Sequence, residues 1–264
     1  MNLAVKIQNV SKQFPQKRSF LAPWKKKSKI QVLTKINLEI PGGTLFALVG
    51  PNGAGKTTLL KIISTLLLPD EGEVWVHGFH HRRDAEKIRK VLSFATSQDR
   101  SFYSRITVRQ NLEFFAALYG LSPKETRKKI KDLEHIFNLE LILDRPFEQL
   151  SSGMKQRVAL ARSYFNEAKI LLADEPTRSL DFLSKKDLRA QLKQFCQAQG
   201  KTVIFTTHDL REAEEIADKV AILREGKLHA TVEPAELQTT AASNDLEELF
   251  VALCEKDLDY SDAP

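Results

Sequence analysis

The chain has 264 residues, of which 42% are hydrophobic, and this proportion supports an ordinary globular core and excludes disordered and fibrous classes. Its longest apolar stretches fall far short of the ~20 residues that a membrane span requires, and its two cysteines, Cys196 and Cys254, have no metal-binding spacing and suit reduced thiols in the cytoplasm. The formal charge of +6 is spread along the chain apart from one basic run, so charge alone does not select nucleic acid or a membrane surface as a partner.

Two β-branched runs near the start of the chain predict a pair of strands. Residues 5–10 and 36–40 form these runs, and they bracket a basic, proline-containing insertion at about 15–30. Within the insertion, Trp24 stands beside three lysines at 25–27. We interpret the insertion either as a solvated hairpin tip or as a segment that contacts an anionic membrane surface.

A phosphate-binding loop follows the next predicted strand, 45–49. The segment GPNGAGKT precedes a helical pattern over 58–67, and Gly50, Gly55, Lys56 and Thr57 occupy the four fixed positions of GxxxxGK[ST]. Glycine lets backbone N–H groups converge on an anion, while Lys56 is predicted to reach the β- and γ-phosphates and Thr57 to bind Mg²⁺. A chance glycine-rich turn is the alternative, and the flanking strand and helix disfavour it. The predicted phosphate contacts are Gly50, Pro51, Asn52, Gly53, Ala54, Gly55, Lys56, Thr57 and Thr58.

The rest of the chain predicts an α/β fold. Short strands are predicted at 73–77 and 92–95 around a polar helix at 84–90, and a helical lobe is predicted at about 100–165, with Pro123 and Pro146 as breaks. Helices at 156–165, 185–198 and 210–217 then alternate with strands at 170–173 and 202–206. This order predicts a P-loop NTPase core with a mostly parallel sheet, a small antiparallel β subdomain and a helical lobe.

Two acidic residues end the predicted strand of the segment ILLADEP. Asp174 stands at the strand's carboxyl end and Glu175 follows it. Because ligands of open α/β sheets gather at this edge, Asp174 is predicted to share the Mg²⁺ of Thr57, and Glu175 to orient the attacking water. A helix cap is the alternative use of such an acidic pair.

The segment LSSGMKQR, residues 150–157, resembles the signature loop of the ABC ATPase family. The resemblance covers nearly the whole chain, and a methionine at position 154 is similar to signatures of ABC-2-type exporter ATPases. It implies that Ser151, Ser152, Gly153 and Met154 bind the γ-phosphate of ATP held by an opposite subunit, so that two ATP molecules lie between two head-to-tail domains. Without a ligand, the same residues would simply cap a helix.

The resemblance implies further site residues on either side of the signature. Gln98 looks like the Q-loop glutamine, which contacts Mg²⁺ and water and connects the helical lobe to the membrane partner; its alternative is an ordinary solvated glutamine. Ser179, Leu180 and Asp181 resemble the D-loop, which runs across the dimer interface. Here Arg178 replaces a smaller residue that is common in the family.

Two more residues are assigned by the resemblance. His208, after the strand VIFTT, looks like the switch histidine that contacts the γ-phosphate, and the alternative is a buried core histidine. Phe14 resembles the aromatic residue that stacks on adenine, and core packing is its alternative use. The implied catalytic residues are therefore Glu175, His208, Lys56 and Gln98, with Thr57, Gln98 and Asp174 as metal ligands.

The function implied by the resemblance is ATP hydrolysis, with ATP and Mg²⁺, coupled to transport by a separate polytopic membrane subunit. We expect a single ATPase domain over 1–235, working as a homodimer at the cytoplasmic face of the membrane, and a short helical extension over 236–264. The extension contains DLEELF, which either helps dimerisation or caps its own sheet. Export is the expected direction, and direct nucleic-acid binding is not expected. The alternatives are a soluble ABC ATPase that acts on nucleic acid or ribosomes and a regulatory module that holds ATP without turnover.

Overall fold

A computed structural model of the chain describes residues 2–15, 29–96, 101–166, 168–178 and 180–235. The chain divides into two compact units, one formed by residues 1–89 and 206–264 and the other by residues 90–205. Four predicted features lie outside the described residues: Gln98, Ser179, nearly all of the basic insertion and the extension that contains DLEELF. They stay predictions.

The first unit begins with an antiparallel sheet. Its elements in chain order are β1 (Leu3–Pro15), β2 (Lys29–Pro41), β3 (Leu45–Val49), α1 (Lys56–Ile63), β4 (Glu71–Val76), β5 (Phe79–His80) and the start of α2 (Ala85–Val91). The sheet order is β2-β1-β4-β5. Buried Ile36, Leu38 and Ile40 alternate with exposed residues along β2, which is the period of a strand with one face on the core.

The second unit combines parallel strands with helices. Its elements are β6 (Leu92–Thr96), α3 (Val108–Leu118), α4 (Pro123–Ile136), a 3₁₀ turn (Phe147–Gln149), α5 (Ser152–Ser163), β7 (Ile170–Asp174), α6 (Phe182–Gln199) and β8 (Thr202–Thr207). Strand β7 pairs in parallel with β6 on one side and with β8 on the other. The last two residues of β8 belong to the first unit.

The chain then completes the first unit with α7 (Leu210–Ile216), β9 (Lys219–Arg224) and β10 (Lys227–Val232). Strand β9 pairs in parallel with β3 and antiparallel with β10. The turn between β9 and β10 is made by Glu225 and Gly226, which both have positive φ, at 48° and 74°. Two such residues suit the tight turn of a β-hairpin.

The α/β fold class predicted from the sequence is confirmed, because parallel strand pairs, a small antiparallel sheet and several helices are all present. Strand β3 has its predicted bounds. Helix α5 begins at Ser152, four residues before the predicted 156, while β5, β9 and β10 were not predicted. None of the helices in the described ranges has both the length and the apolar composition needed to cross a bilayer.

Helix starts in the second unit follow from local sequence. Thr107 caps α3 and forms a capping box with Gln110, and Ser122 does the same for α4 with Glu125. Pro123, predicted as a break, is the first residue of α4, where its missing N–H costs no helical hydrogen bond.

A buried asparagine fixes the segment that leads into α3. Asn111 is fully buried; its Oδ1 accepts from the backbone N–H of Tyr103 at 2.8 Å, and its Nδ2 donates to the carbonyls of Tyr103 and Thr107 at 3.0 and 3.1 Å. One side chain therefore satisfies both backbone groups of Tyr103, whereas the Thr107 carbonyl also accepts from the backbone N–H of Asn111.

We expect Asn111→Ala to lower the free energy of unfolding by about 2 kcal/mol, because it removes the hydrogen bonds to the N–H and the carbonyl of Tyr103. Urea denaturation followed by circular dichroism measures the change. Gln194→Ala, which removes an exposed amide on α6, is the matched control and should change little. Equal stability of the two variants would show that Asn111 does not hold the segment.

Candidate nucleotide-binding site

The phosphate loop contains three glycines whose surroundings differ. A Cβ on Gly50 would lie 2.0 Å from the carbonyl oxygen of Leu223, so no side chain fits there. Gly55 has φ 105°, and a Cβ would lie 2.7 Å from Leu33 Cδ2. Gly53 also has positive φ, at 85°, but faces open space. Gly50 is therefore required by close packing, and Gly53 only by its backbone conformation.

Backbone hydrogen bonds hold the loop to its neighbours in the first unit. The N–H of Gly50 donates to the Thr207 carbonyl at 3.3 Å, and the N–H of Ala54 donates to the Pro51 carbonyl at 3.2 Å. The N–H of Gly226 donates to the Ala54 carbonyl at 3.1 Å. The loop conformation is thus fixed by the protein itself, which prepares it for an anion.

Lys56 lies inside the curve of this loop. Lys56 is only 5% exposed, and its Nζ donates to the carbonyls of Gly50 and Pro51 at 2.6 and 3.1 Å. Thr57 is exposed at the start of α1, and Thr58 is half-buried beside it. The Lys56 ammonium and the N-terminus of α1 therefore both lie at the phosphate loop, as phosphate binding requires.

Pro51 and Asn52 are exposed at the tip of the loop, whereas Ala54 is buried. Thr57 is exposed at the surface, where a metal ion can approach it, as a hydroxyl ligand of Mg²⁺ requires.

His208 follows β8 and is exposed, so it is not a core histidine. Its neighbour Thr207 is buried, accepts a hydrogen bond from Gly50 through its carbonyl, and donates its hydroxyl to Glu212 Oε2 at 2.6 Å. Asp209 caps α7 by accepting from the N–H groups of Arg211 and Glu212. The residues on both sides of His208 are therefore fixed, and one of them contacts the phosphate loop.

Phe14 lies near the end of β1 and is half-buried, so it is not a core residue. It lines an open cleft together with Lys12, and the Lys12 ammonium lies 5.5 Å from the centre of its ring. Lys12 also donates to Asp70 at 2.8 Å, and this hydrogen bond lowers the pKa of the Asp70 carboxyl. The ring face at this cleft suits stacking on a base.

The second unit carries the two predicted acidic residues. Asp174 is the last residue of β7 and is paired with Thr96 of β6 in the parallel register. Glu175 follows with φ 45°, a left-handed conformation that is costly for a residue with a side chain. Its side chain is 12% exposed, and its carboxylate accepts a hydrogen bond from Arg178 Nη1 at 2.9 Å. Neither residue caps a helix, since α6 begins later and is capped by Asp181.

The signature segment starts helix α5. Ser151 is its N-cap, with its Oγ accepting from the N–H of Met154 at 3.3 Å. Ser151 and Ser152 are exposed, Gly153 is buried and Met154 is half-buried. The predicted capping is therefore present, and exposed hydroxyls stand at the positive end of the helix.

Asp181, the last of the three predicted D-loop residues, caps helix α6. The Asp181 carboxylate accepts from the Ser184 N–H at 3.0 Å and from its hydroxyl at 2.6 Å, and these bonds lower the pKa of Asp181. Half-buried Leu180 and the hydroxyl of Ser184 are the neighbours that a Cβ on Gly153 would meet, at 3.5 and 3.4 Å. The signature and the D-loop are therefore adjacent.

Two supporting residues were not predicted from the sequence. Gly226 holds the phosphate loop through Ala54, and the two-residue turn Glu225–Gly226 between apolar runs was the available signal. Arg162 of α5 donates to the Phe94 carbonyl at 3.3 Å and to Ser101 Oγ, and its guanidinium stacks on the Phe102 and Phe115 rings. It thereby joins the two ends of the stretch that contains Gln98, and no sequence signal indicates these contacts.

A group of polar side chains away from the predicted site residues lies on and just after β4 and β5. Glu73 Oε2 is 2.5 Å from His80 Nε2 and 3.6 Å from His81 Nδ1. Arg82 Nε donates to His81 Nε2 at 3.2 Å, and His81 Nδ1 lies 3.1 Å from the Val74 nitrogen and 3.2 Å from the Val74 carbonyl oxygen. Burial also lowers the pKa of His81. We interpret the group as a hydrogen-bond network rather than a metal site.

Comparison with known proteins gives consistent matches. A family model described as ABC transporter matches residues 33–178, more than half of the chain. The sulfate/thiosulfate import ATP-binding protein CysA of Nephroselmis olivacea is 35% identical over 89% of this chain, and the chain spans 64% of the length of that relative. The ABC transporter ATP-binding protein NatA of Bacillus subtilis (strain 168) is 31% identical over 86% of this chain and 92% of its own length.

Among solved structures, the ATP-binding cassette MJ0796 was determined as a dimer in a post-hydrolysis state bound to ADP and Pi. It superposes with a TM-score of 0.76 at 29% identity, covering 87% of this chain and 98% of that one.

The glycines allow a test in which the same substitution is made at two positions. Gly50→Ala should destabilise the chain by about 3 kcal/mol, because its methyl group overlaps the Leu223 carbonyl. Gly53→Ala should cost only about 1 kcal/mol, the penalty of a left-handed backbone. Urea denaturation and binding of a fluorescent ATP analogue measure both. Equal losses at the two positions would contradict the close-packing role of Gly50.

Proposed function

Because the chain belongs to the ABC transporter family of ATP-binding proteins, we propose that it binds ATP with Mg²⁺ and hydrolyses it to drive a membrane transporter. The observation that carries this proposal is the preformed loop from Gly50 to Thr58, with the Lys56 ammonium inside it. A positive charge, a helix N-terminus and converging N–H groups are what a triphosphate requires.

The proposed chemistry uses the site residues predicted from the sequence. Thr57, Asp174 and Gln98 would hold Mg²⁺, and the ion would supply positive charge next to the phosphate oxygens. Glu175 accepts a hydrogen bond from the attacking water and aims it in line with the γ-phosphorus. His208 and Lys56 contact the γ-phosphate and stabilise the transition state. The exposed position of His208 and the sheet-end position of Asp174 support these roles.

The adenine is proposed to stack on Phe14. Phenylalanine offers a ring face without a hydroxyl, which is sufficient because every base has a π-face. The half-buried ring at an open cleft supports this role.

A second copy of the chain is proposed to complete each site. Ser151, Ser152, Gly153 and Met154 form the start of α5, where the hydroxyls of Ser151 and Ser152 are exposed, and hydroxyls at the positive end of a helix suit a phosphate brought by another subunit. Two-fold symmetry then produces two equivalent composite sites. The dimeric state of the MJ0796 cassette, a structural relative, supports this arrangement.

The γ-phosphate supplies most of the differential binding in this cycle, since it alone contacts both subunits. Its loss on hydrolysis releases the dimer. We infer that a separate polytopic membrane protein receives this motion through the Gln98 region, and that the chain lies peripherally on the cytoplasmic face. Export, the direction expected from the sequence, is not supported, because the matched relatives include a sulfate/thiosulfate import protein. The membrane partner determines the direction and the cargo.

Glu175→Gln tests the proposed chemistry. The amide keeps the size of the side chain but cannot accept a proton, so the hydrolysis rate should fall by about 10²-fold or more while ATP still binds. The ATP-bound variant should also accumulate as a dimer in analytical ultracentrifugation. Glu113→Gln, at an exposed carboxylate of α3, is the control and should hydrolyse ATP normally. Unchanged steady-state ATPase activity in Glu175→Gln would remove Glu175 from the catalytic role.

A further inference from the structure

The carboxylate of Glu175 is held by a residue three positions later. Arg178 Nη1 donates to Glu175 Oε2 at 2.9 Å, and the N–H of Arg178 donates to the Glu175 carbonyl at 3.1 Å. Main chain and side chain of Arg178 thus both bind Glu175. The side chain of Glu175 is 12% exposed and that of Arg178 is 50% exposed.

The segment around this pair has little conformational freedom. The N–H of Leu180 donates to the carbonyl of Thr177 at 3.2 Å, and Thr177 is buried. Asp181 then caps α6. Glu175 itself has left-handed φ, which fixes the direction in which its side chain leaves the backbone. The remaining freedom of Glu175 is rotation of its side chain, and the contact with Arg178 restricts that rotation.

Stability does not explain this contact. An ion pair with one half-exposed partner is worth little in folding free energy, because water screens it and the arginine loses side-chain entropy. A carboxylate, however, has two oxygens with about four acceptor sites. Arginine bound at Oε2 therefore still permits the carboxylate to accept a hydrogen bond from water.

We propose that Arg178 is a positioning residue that holds the Glu175 carboxylate in the orientation needed to receive the attacking water. This role rests on the proposed function of Glu175. Arginine suits it because the guanidinium stays protonated throughout, so it orients the carboxylate and exchanges no proton with it.

Arg178 could also have the opposite effect on the hydrolysis rate, and that effect is the outcome that would contradict the proposal. A guanidinium that withdraws charge from the carboxylate weakens it as a proton acceptor, and its removal would then accelerate hydrolysis. Removal of Arg178 should therefore slow hydrolysis if the arginine orients the carboxylate, and should accelerate hydrolysis if the arginine weakens it as a proton acceptor.

The test begins with Arg178→Ala and Arg178→Lys in the full-length chain. We expect Arg178→Ala to lower kcat about tenfold with an unchanged KM for ATP, since misorientation of a reacting group affects the chemical step. Arg178→Lys should hydrolyse ATP faster than Arg178→Ala but more slowly than the wild type. The lysine ammonium still reaches the carboxylate but lacks the planar, fixed donor geometry of a guanidinium. Arg109→Ala, which removes an exposed arginine–Asp144 pair of 2.8 Å in the same unit, is the matched control. Thermal unfolding checks that all variants are folded.

A double-mutant cycle with Glu175→Gln completes the test. Single-turnover hydrolysis should be no slower in Arg178→Ala/Glu175→Gln than in Glu175→Gln alone, because Arg178 acts only through the carboxylate. Additive losses, a normal or raised kcat in Arg178→Ala, or a changed KM would each overturn the positioning role. If Glu175→Gln itself hydrolyses ATP at the normal rate, the proposed function of Glu175 fails, and the positioning role fails with it.

Discussion

Gly50 passes so close to the carbonyl oxygen of Leu223 that only a hydrogen atom fits on its α-carbon. This approach lets β3 turn into the phosphate loop directly beside β9, and it keeps the N–H of Gly50 within reach of the Thr207 carbonyl. The loop therefore takes its shape from the ends of neighbouring strands in the same unit. A loop that is already formed loses less conformational entropy when phosphate binds, so more of the interaction energy contributes to affinity.

In the second unit, short-range contacts fix the conformation of the predicted site residues. Glu175 adopts a backbone conformation that costs on the order of 1 kcal/mol, and the turn to Arg178 stabilises it. Ser151 and Asp181 cap two helices whose starts lie next to each other, with Gly153 against Leu180. In the proposed mechanism, the carboxylate that orients water and the loop that binds the partner's nucleotide are thus connected through the short segment from Glu175 to Asp181. This proximity suits an ATPase whose chemistry is coupled to subunit association.

The sequence predicted the elements with strong local patterns and missed those fixed by packing. β3 has its predicted bounds because a continuous apolar run ends at a glycine-rich loop, whereas the start of α5 was placed too late because its first turn contains serine and glycine instead of apolar residues. Asp174 was placed at a strand end from parallel-sheet geometry, Lys56 from the GxxxxGK[ST] spacing and His208 from the family resemblance. Arg162 and Arg178 could not be identified in this way, because nothing in the spacing of an arginine indicates which carbonyl, ring or carboxylate it binds.

The composite nucleotide site is tested most directly by mixing two inactive variants. Lys56→Ala removes the ammonium of the phosphate loop, and Gly153→Asp adds a negative charge to the signature segment at a position where a Cβ meets Ser184 Oγ at 3.4 Å. A mixed dimer contains one site with both wild-type residues. If each site is built from two copies, equal mixing should restore about a quarter of the wild-type ATPase rate, since half of the dimers then carry one intact site of two. An ATPase rate that stays at the sum of the two separate variants would contradict a site shared between subunits.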